Sequence, residues 1–205
     1  MSARPLGARH PAILAAALDV IRERGLERTS VADVAERAGT SPSSVLYWFA
    51  SKPELLTIAL TAAEEGFYRE LEADLAKLGS ARERMVRLIE AATGWGDYEA
   101  ALWIDLWSRA LRDEEMAGLR EQLDERWRRT IAAIVSEGQR TGEFGRANAD
   151  ELGLLLGSLM DGFALQIALG DKTGTAERAR DLCLRVASRE LNCELCASEL
   201  SPALR

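Results

Sequence analysis

Between Gly39 and Lys52 the chain reads GTSPSSVLYWFASK. Hydroxyls at Thr40, Ser41, Ser43, Ser44 and Tyr47 precede one ammonium, at Lys52. These groups are suited to hydrogen bonding with phosphate oxygens, not to making or breaking bonds. The rest of the chain offers no catalytic cluster. His10 is the one histidine, and no Cys/His pair, phosphate-binding glycine loop or metal-ligand spacing occurs. Cys193 and Cys196 have the spacing of half a zinc site, but a second pair is missing and His10 lies far away in sequence. We therefore expect no enzyme, no metal and no cofactor.

The elements that must position these groups read almost entirely as helix, with no convincing alternating run for a strand. The first helix spans about 11–24, with Ile13, Leu14, Ala17, Leu18 and Ile21 on one face and Gly25 as its stop. Ser30-Val-Ala-Asp33 is a capping-box start for the second, which ends before Gly39. Ser41 caps the third, with Pro42 at its first position, where a missing N–H costs nothing. A fourth runs from about Lys52 to Leu78. The fifth begins after Ser80, and the sixth spans about 98–111. The seventh is long, from Glu114 to about Arg140. The eighth follows Asn148 and the ninth follows Thr175. The fold class is all-α, with about nine helices: a three-helix head (1–52) on a helical body (53–205).

The second and third helices, joined at Gly39, have the size and punctuation of a helix-turn-helix, whose second helix enters the major groove. Val45 and Phe49, with Leu46, can pack on Val34 and Ala35. That turns Pro42, Ser43, Tyr47 and Trp48 outward. Lys52 sits in the first turn of the fourth helix, where the helix dipole disfavours a cation and a docked phosphate would reverse the sign.

These residues resemble a known family. Ile13 to Leu18 through Gly25, Thr29 to Ala35, and Gly39 to Lys52 followed by Leu55-Leu56 look like the DNA-binding domain of the TetR/AcrR family of bacterial transcriptional regulators. The resemblance implies an all-helical homodimer that binds a palindromic operator in double-stranded DNA and releases it when a small molecule enters the body. Carried over by position, the DNA contacts are Ser30, Thr40, Ser41, Pro42, Ser43, Ser44, Tyr47, Trp48 and Lys52, with Arg9 and His10 near the backbone. Two positions depart from the pattern. Ala32 stands where a polar or basic residue is common, and Leu46 stands where an aromatic is common. With few long donors, phosphate positioning and shape should outweigh direct base reading.

In the body, Trp103 and Trp107 are four apart and Trp95 stands just before them. With Trp127, Met85, Leu88, Ile89, Ala92, Met160 and Phe163 they could wall an apolar pocket between the fourth and eighth helices, as they could equally be ordinary core. Glu64, Asp105, Asp161 and Gln166 are its candidate polar groups, and acid beside indoles suits a lipophilic cation. The eighth helix is apolar nearly all round. It offers Gly153, Leu156, Gly157, Met160 and Ala164 to a second protomer, and the ninth offers Ala179, Leu182, Cys183 and Val186, together forming a four-helix bundle. A ligand that shifts the fourth helix would change the separation of the two heads.

Bulk properties agree with this division. Net charge is −7, yet residues 1–52 carry seven Lys and Arg against five Asp and Glu, and the remainder 19 against 28. Only the head could meet a polyanion. The run from Leu152 to Leu169 is long enough to cross a bilayer, but Asp161 at its middle would cost roughly 2.5–3.5 kcal/mol. A buried interface helix is the better reading. Three cysteines and no signal peptide indicate a reducing cytoplasm. The alternative function is a ligand-binding or protein-interaction module whose helix-turn-helix no longer reads DNA.

Overall fold

The computed structural model describes residues 10–94 and 97–196, leaving aside the side chains of 97–102 and 105. The described residues form nine helices and no strand, in agreement with the all-α expectation. They are α1 (Pro11–Arg28), α2 (Val31–Arg37), α3 (Pro42–Trp48), α4 (Lys52–Leu75), α5 (Ala81–Thr93), α6 (Asp97–Ala110), α7 (Glu114–Thr141), α8 (Ala149–Ala168) and α9 (Ala176–Glu190).

Side-chain caps set most of the boundaries. The Ser30 hydroxyl accepts from the Asp33 N–H while the Asp33 carboxylate accepts from the Ser30 N–H. Ser80 and Glu83 repeat this box at α5. Ser41 starts α3, Ser51 accepts from the Glu54 N–H at α4, Asn148 starts α8 and Thr175 starts α9. Each satisfies donors that a helix leaves open at its first turn. Gly25 takes a left-handed φ of 77° inside α1, so the chain breaks there as expected. It then makes one more turn to Arg28, because Leu26 is buried and Thr29 Oγ1 donates to the Gly25 carbonyl.

The chain divides into two compact units. The first contains the described residues up to Arg69 together with 105–119; the second contains 70–104 and 120–196. The core of the first is built from Ile13, Ala17, Val20 and Ile21 of α1, Val34 and Ala35 of α2, and Val45 and Phe49 at α3, all buried. Leu46, expected to join them, is 47% exposed. It stands one position past Val45, about 100° round the helix, which turns it away from the core that Val45 enters.

In the second unit α5, α8 and α9 pack on one another. Met85, Val86, Leu88 and Ile89 of α5 are fully buried, as are Leu156 of α8 and Ala179, Cys183 and Ala187 of α9. Loop chemistry ties the ends together. The Glu143 carboxylate accepts from the Ala81 and Arg82 N–H groups at the start of α5, and Arg84 donates to the carbonyls of Leu75 and Leu78 at the end of α4.

Candidate functional site

The helix-turn-helix presents one face of α3. Pro42, Ser43, Leu46 and Tyr47 recur at helical spacing and are all exposed, with Tyr47 at 67%. Ser41 is exposed, and Thr40 and Ser44 are half-buried. The hydroxyls are linked, with Ser41 Oγ 2.9 Å from both Ser43 Oγ and Ser44 Oγ. Trp48 is half-buried, its ring edge-on to Tyr47 (centroids 5.5 Å apart) and to His10 (6.0 Å). Arg9 lies outside the described residues.

Ser30 and Lys52, among the carried-over contacts, also hold the head together. Ser30 is half-buried, and its hydroxyl donates to the Asp33 carboxylate at 2.6 Å while holding the N-cap. The Lys52 ammonium donates to the Glu27 carbonyl at 3.0 Å, bracing the end of α1. That contact accounts for a cation at the first turn of α4 without a phosphate, although an ammonium keeps two further donors. Glu54 also stands in that first turn, its carboxylate accepting from the Ala50 N–H. The other described cations from residue 10 to 52 are likewise engaged. Arg22 meets Asp19 at 3.6 Å, Arg24 meets Asp33 at 2.5 Å and Arg37 meets Glu23 at 2.6 Å, while Arg28 donates to the Arg24 carbonyl at 2.9 Å. Hydrogen bonds from Ser30 and Arg37 respectively hold the Asp33 and Glu23 carboxyls below their usual range. Leu46 was not expected at this surface; its spacing from Pro42 and Ser43 would have found it.

In the second unit the closest feature to the expected ligand site is the crossing of α7 and α8. A β-carbon on Gly153 would stand 2.9 Å from the Arg128 carbonyl oxygen, and one on Gly157 would stand 3.8 Å from Trp127 Cδ1 and 3.9 Å from Arg128 Cγ. One turn beyond Gly157 is Asp161; one turn before Arg128 is Asp124. Both acids are half-buried. Burial pushes the Asp161 carboxyl up to about 6; the neighbouring Asp124 adds like charge, and Arg120 and Arg128 pull the other way. Burial raises Asp124 as well, against the pull of Arg120, whose guanidinium lies 3.2 Å away. Asp161 and Asp124 therefore lie close enough to interact, and Asp124 is a neighbour that sequence reasoning missed. The i, i+4, i+8 series Arg120-Asp124-Arg128 was its signal.

The other expected ligand residues fall in both units. Met85, Leu88, Ile89 and Ala92 are buried core of α5, and Met160 is buried on α8. Phe163 is half-buried and Gln166 is exposed. Glu64 and Trp107 are half-buried in the first unit, and Trp103 is half-buried in the second. Trp95 and the side chain of Asp105 lie outside the described residues. An open groove of about 1060 Å³ runs along α7 and the end of α4. It contains none of the expected ligand residues, and it is lined by ion pairs, Arg126 with Glu72, Arg129 with Glu125 and Arg84 with Glu137.

The residues expected at a dimer interface differ in exposure. Gly153, Leu156, Gly157, Met160, Ala164, Ala179 and Cys183 are buried within the single chain; Leu182 and Val186 are half-buried. The apolar residues that α8 exposes are Leu154, Leu155 and Leu165, with Leu169 following at 73%. Leu155, Ser158, Gly162, Leu165 and Leu169 recur at alternating steps of three and four, a single stripe.

Residues 13–57 match the model of bacterial regulatory proteins of the tetR family, and residues 80–192 match that of the C-terminal region of BetI-type transcriptional repressors. The HTH-type transcriptional regulator BetI of Escherichia coli K12 is 26% identical over 186 residues, 87% of this chain and 92% of that protein. A transcriptional regulator from Saccharomonospora viridis, solved in complex with choline, superposes with a TM-score of 0.82 at 28% identity, covering 91% of this chain and 98% of that one. A TetR transcription regulator from Haloarcula marismortui shares the fold, with a TM-score of 0.81 at 22% identity over 88% and 97% of the two chains.

Proposed function

This chain belongs to the TetR family of bacterial transcriptional regulators, DNA-binding proteins with a ligand-binding C-terminal region, and from that premise we propose a cytoplasmic homodimeric repressor that holds a palindromic operator until a small organic cation binds its second unit. The observation that carries the DNA half of this reading is the exposed face of α3, mounted on a capped α2 and a buried Val45–Phe49 anchor. Tyr47, the linked serines and the spare donors of Lys52 are the groups it offers to phosphates.

The effector half rests on Asp161, Asp124 and Trp127. Two half-buried carboxylates that interact with each other favour a desolvated cation through charge, and Trp127, on the same helix as Asp124, is the aromatic we assign to it. The choline-bound relative supports a quaternary ammonium as the class. The exposed α8 stripe of Leu155, Leu165 and Leu169 is the better candidate for a two-fold contact than the buried glycine face, since only exposed surface is left for a partner. The same stripe explains an apolar helix of membrane-spanning length without a membrane.

Release then requires the cation to bind the form with misplaced heads more tightly than the operator-bound form. α4 is one unbroken helix from Lys52 to Leu75 that belongs to both units, so it is the element through which we place the coupling.

The test is fluorescence anisotropy of a labelled duplex from DNA flanking the gene, at several salt concentrations and against scrambled competitor. Competitor-resistant binding that choline or a related quaternary ammonium dissolves supports the reading. Binding that no such cation disturbs removes the effector assignment, and no preference over scrambled flanking DNA removes the local operator.

A further inference from the structure

Among the described residues, the arginines of the head are engaged inside the head, and α3 carries no charged or amide side chain. Guanine and adenine are distinguished in the major groove mainly by the paired donors of Arg, Lys, Asn and Gln. None of these stands on α3, and on α2 the one such residue is Arg37, held by Glu23. Beside hydroxyl contacts, which suit more than one base, the discriminating feature open to an uncharged helix is the C5 methyl of thymine, which is read by apolar contact.

One aliphatic side chain on the presented face has the size for that contact. Leu46 is 47% exposed, about 100° round the helix from the buried Val45. Ser43 stands one turn before it, Tyr47 beside it, and Ala32 is exposed on α2. A lone exposed leucine on a protein surface needs no explanation. This one lies on the helix that the matched DNA-binding region presents, with its neighbours limited to hydroxyls, a ring and a proline.

We propose that Leu46 is a specificity-determining residue that packs on the C5 methyl of a thymine in each operator half-site. The proposal rests on the reading that this head binds DNA. Hydroxyls and backbone then position the helix, while Leu46 supplies the sequence preference that the engaged arginines do not.

The test begins by selecting duplexes from a random pool with the full-length protein, then replacing each thymine in turn by deoxyuridine, which deletes only the methyl. The expected result is one position per half-site at which the replacement weakens binding about fourfold, the equivalent of about 0.8 kcal/mol for one buried methyl-sized group. Leu46→Ala should bind the thymine duplex more weakly and lose the difference between thymine and uracil at that position alone. Because Leu46 lies outside the core, Leu46→Ala should keep the wild-type melting temperature, which separates lost recognition from lost folding. Tight binding with no uracil-sensitive position, or a uracil effect that survives in Leu46→Ala, overturns the proposal. A protein that enriches no duplex from the pool overturns the DNA-binding reading beneath it.

Discussion

Gly153 of α8 lies against the backbone of Arg128 of α7, so closely that a β-carbon there would stand 2.9 Å from the Arg128 carbonyl oxygen. The obstacle is backbone, not a side chain that can swing aside. Gly153→Ala should therefore push the two helices apart and lower stability by about 1–3 kcal/mol, as overpacking of a close contact does. Thermal melting reads the loss. An unchanged melting temperature would show that the crossing gives way easily.

Asp161→Asn should stabilise the protein at neutral pH. The folded carboxyl titrates near 6 against an ordinary 3.8, so between those values the folded state holds a proton that the unfolded state has shed. The stability this group contributes is present below about pH 4, falls as pH rises towards 6 and stays lost above. Asparagine removes the penalty, worth up to about 3 kcal/mol at pH 7.5. Near pH 4 the two proteins should melt together. The same variant should need much more choline to leave DNA, a trade of function for stability.

Ser30→Ala should lower stability by about 1 kcal/mol by opening the capping box of α2. Ser43→Ala removes an exposed hydroxyl and should leave stability unchanged. If Ser30 acts mainly as a cap, cooling will restore the operator affinity of Ser30→Ala. Affinity that stays low in the cold would mark Ser30 as a direct DNA contact.

Leu155→Glu combined with Leu165→Glu should shift the protein to a monomer in sedimentation experiments and abolish operator binding while leaving helicity intact. A double variant that stays dimeric would move the two-fold contact off the α8 stripe.

Much of the fold was legible because helix boundaries were written locally. Ser30-x2-Asp33, Ser80-x2-Glu83, Asn148 and Thr175 all lie where the structure places an N-cap. Rotation about the axis of an apolar helix was not legible. On α8 the small residues Gly153 and Gly157 suggest close approach, but close approach to α7 and to a second protomer leave the same composition. Lys52 carries two roles for a related reason. A cation at a helix start reads as an anion site, and the sequence does not show that the Glu27 carbonyl, 25 residues earlier in the chain, also accepts one of its hydrogen bonds. Pocket and core were not separable in the sequence, because an apolar side chain such as Met85 or Leu88 serves both equally well, whereas Asp161 carries a group that burial makes expensive.

The engaged arginines of the head bear on how a target is found. Long sliding along a duplex depends on a loose electrostatic grip that does not care about sequence. Among the described residues, Arg22, Arg24 and Arg37 are held in ion pairs with the head's own acids and contribute less to that grip. A head held this way would dwell more briefly on unrelated sequence and lean more on shape and apolar fit to recognise the place to stop.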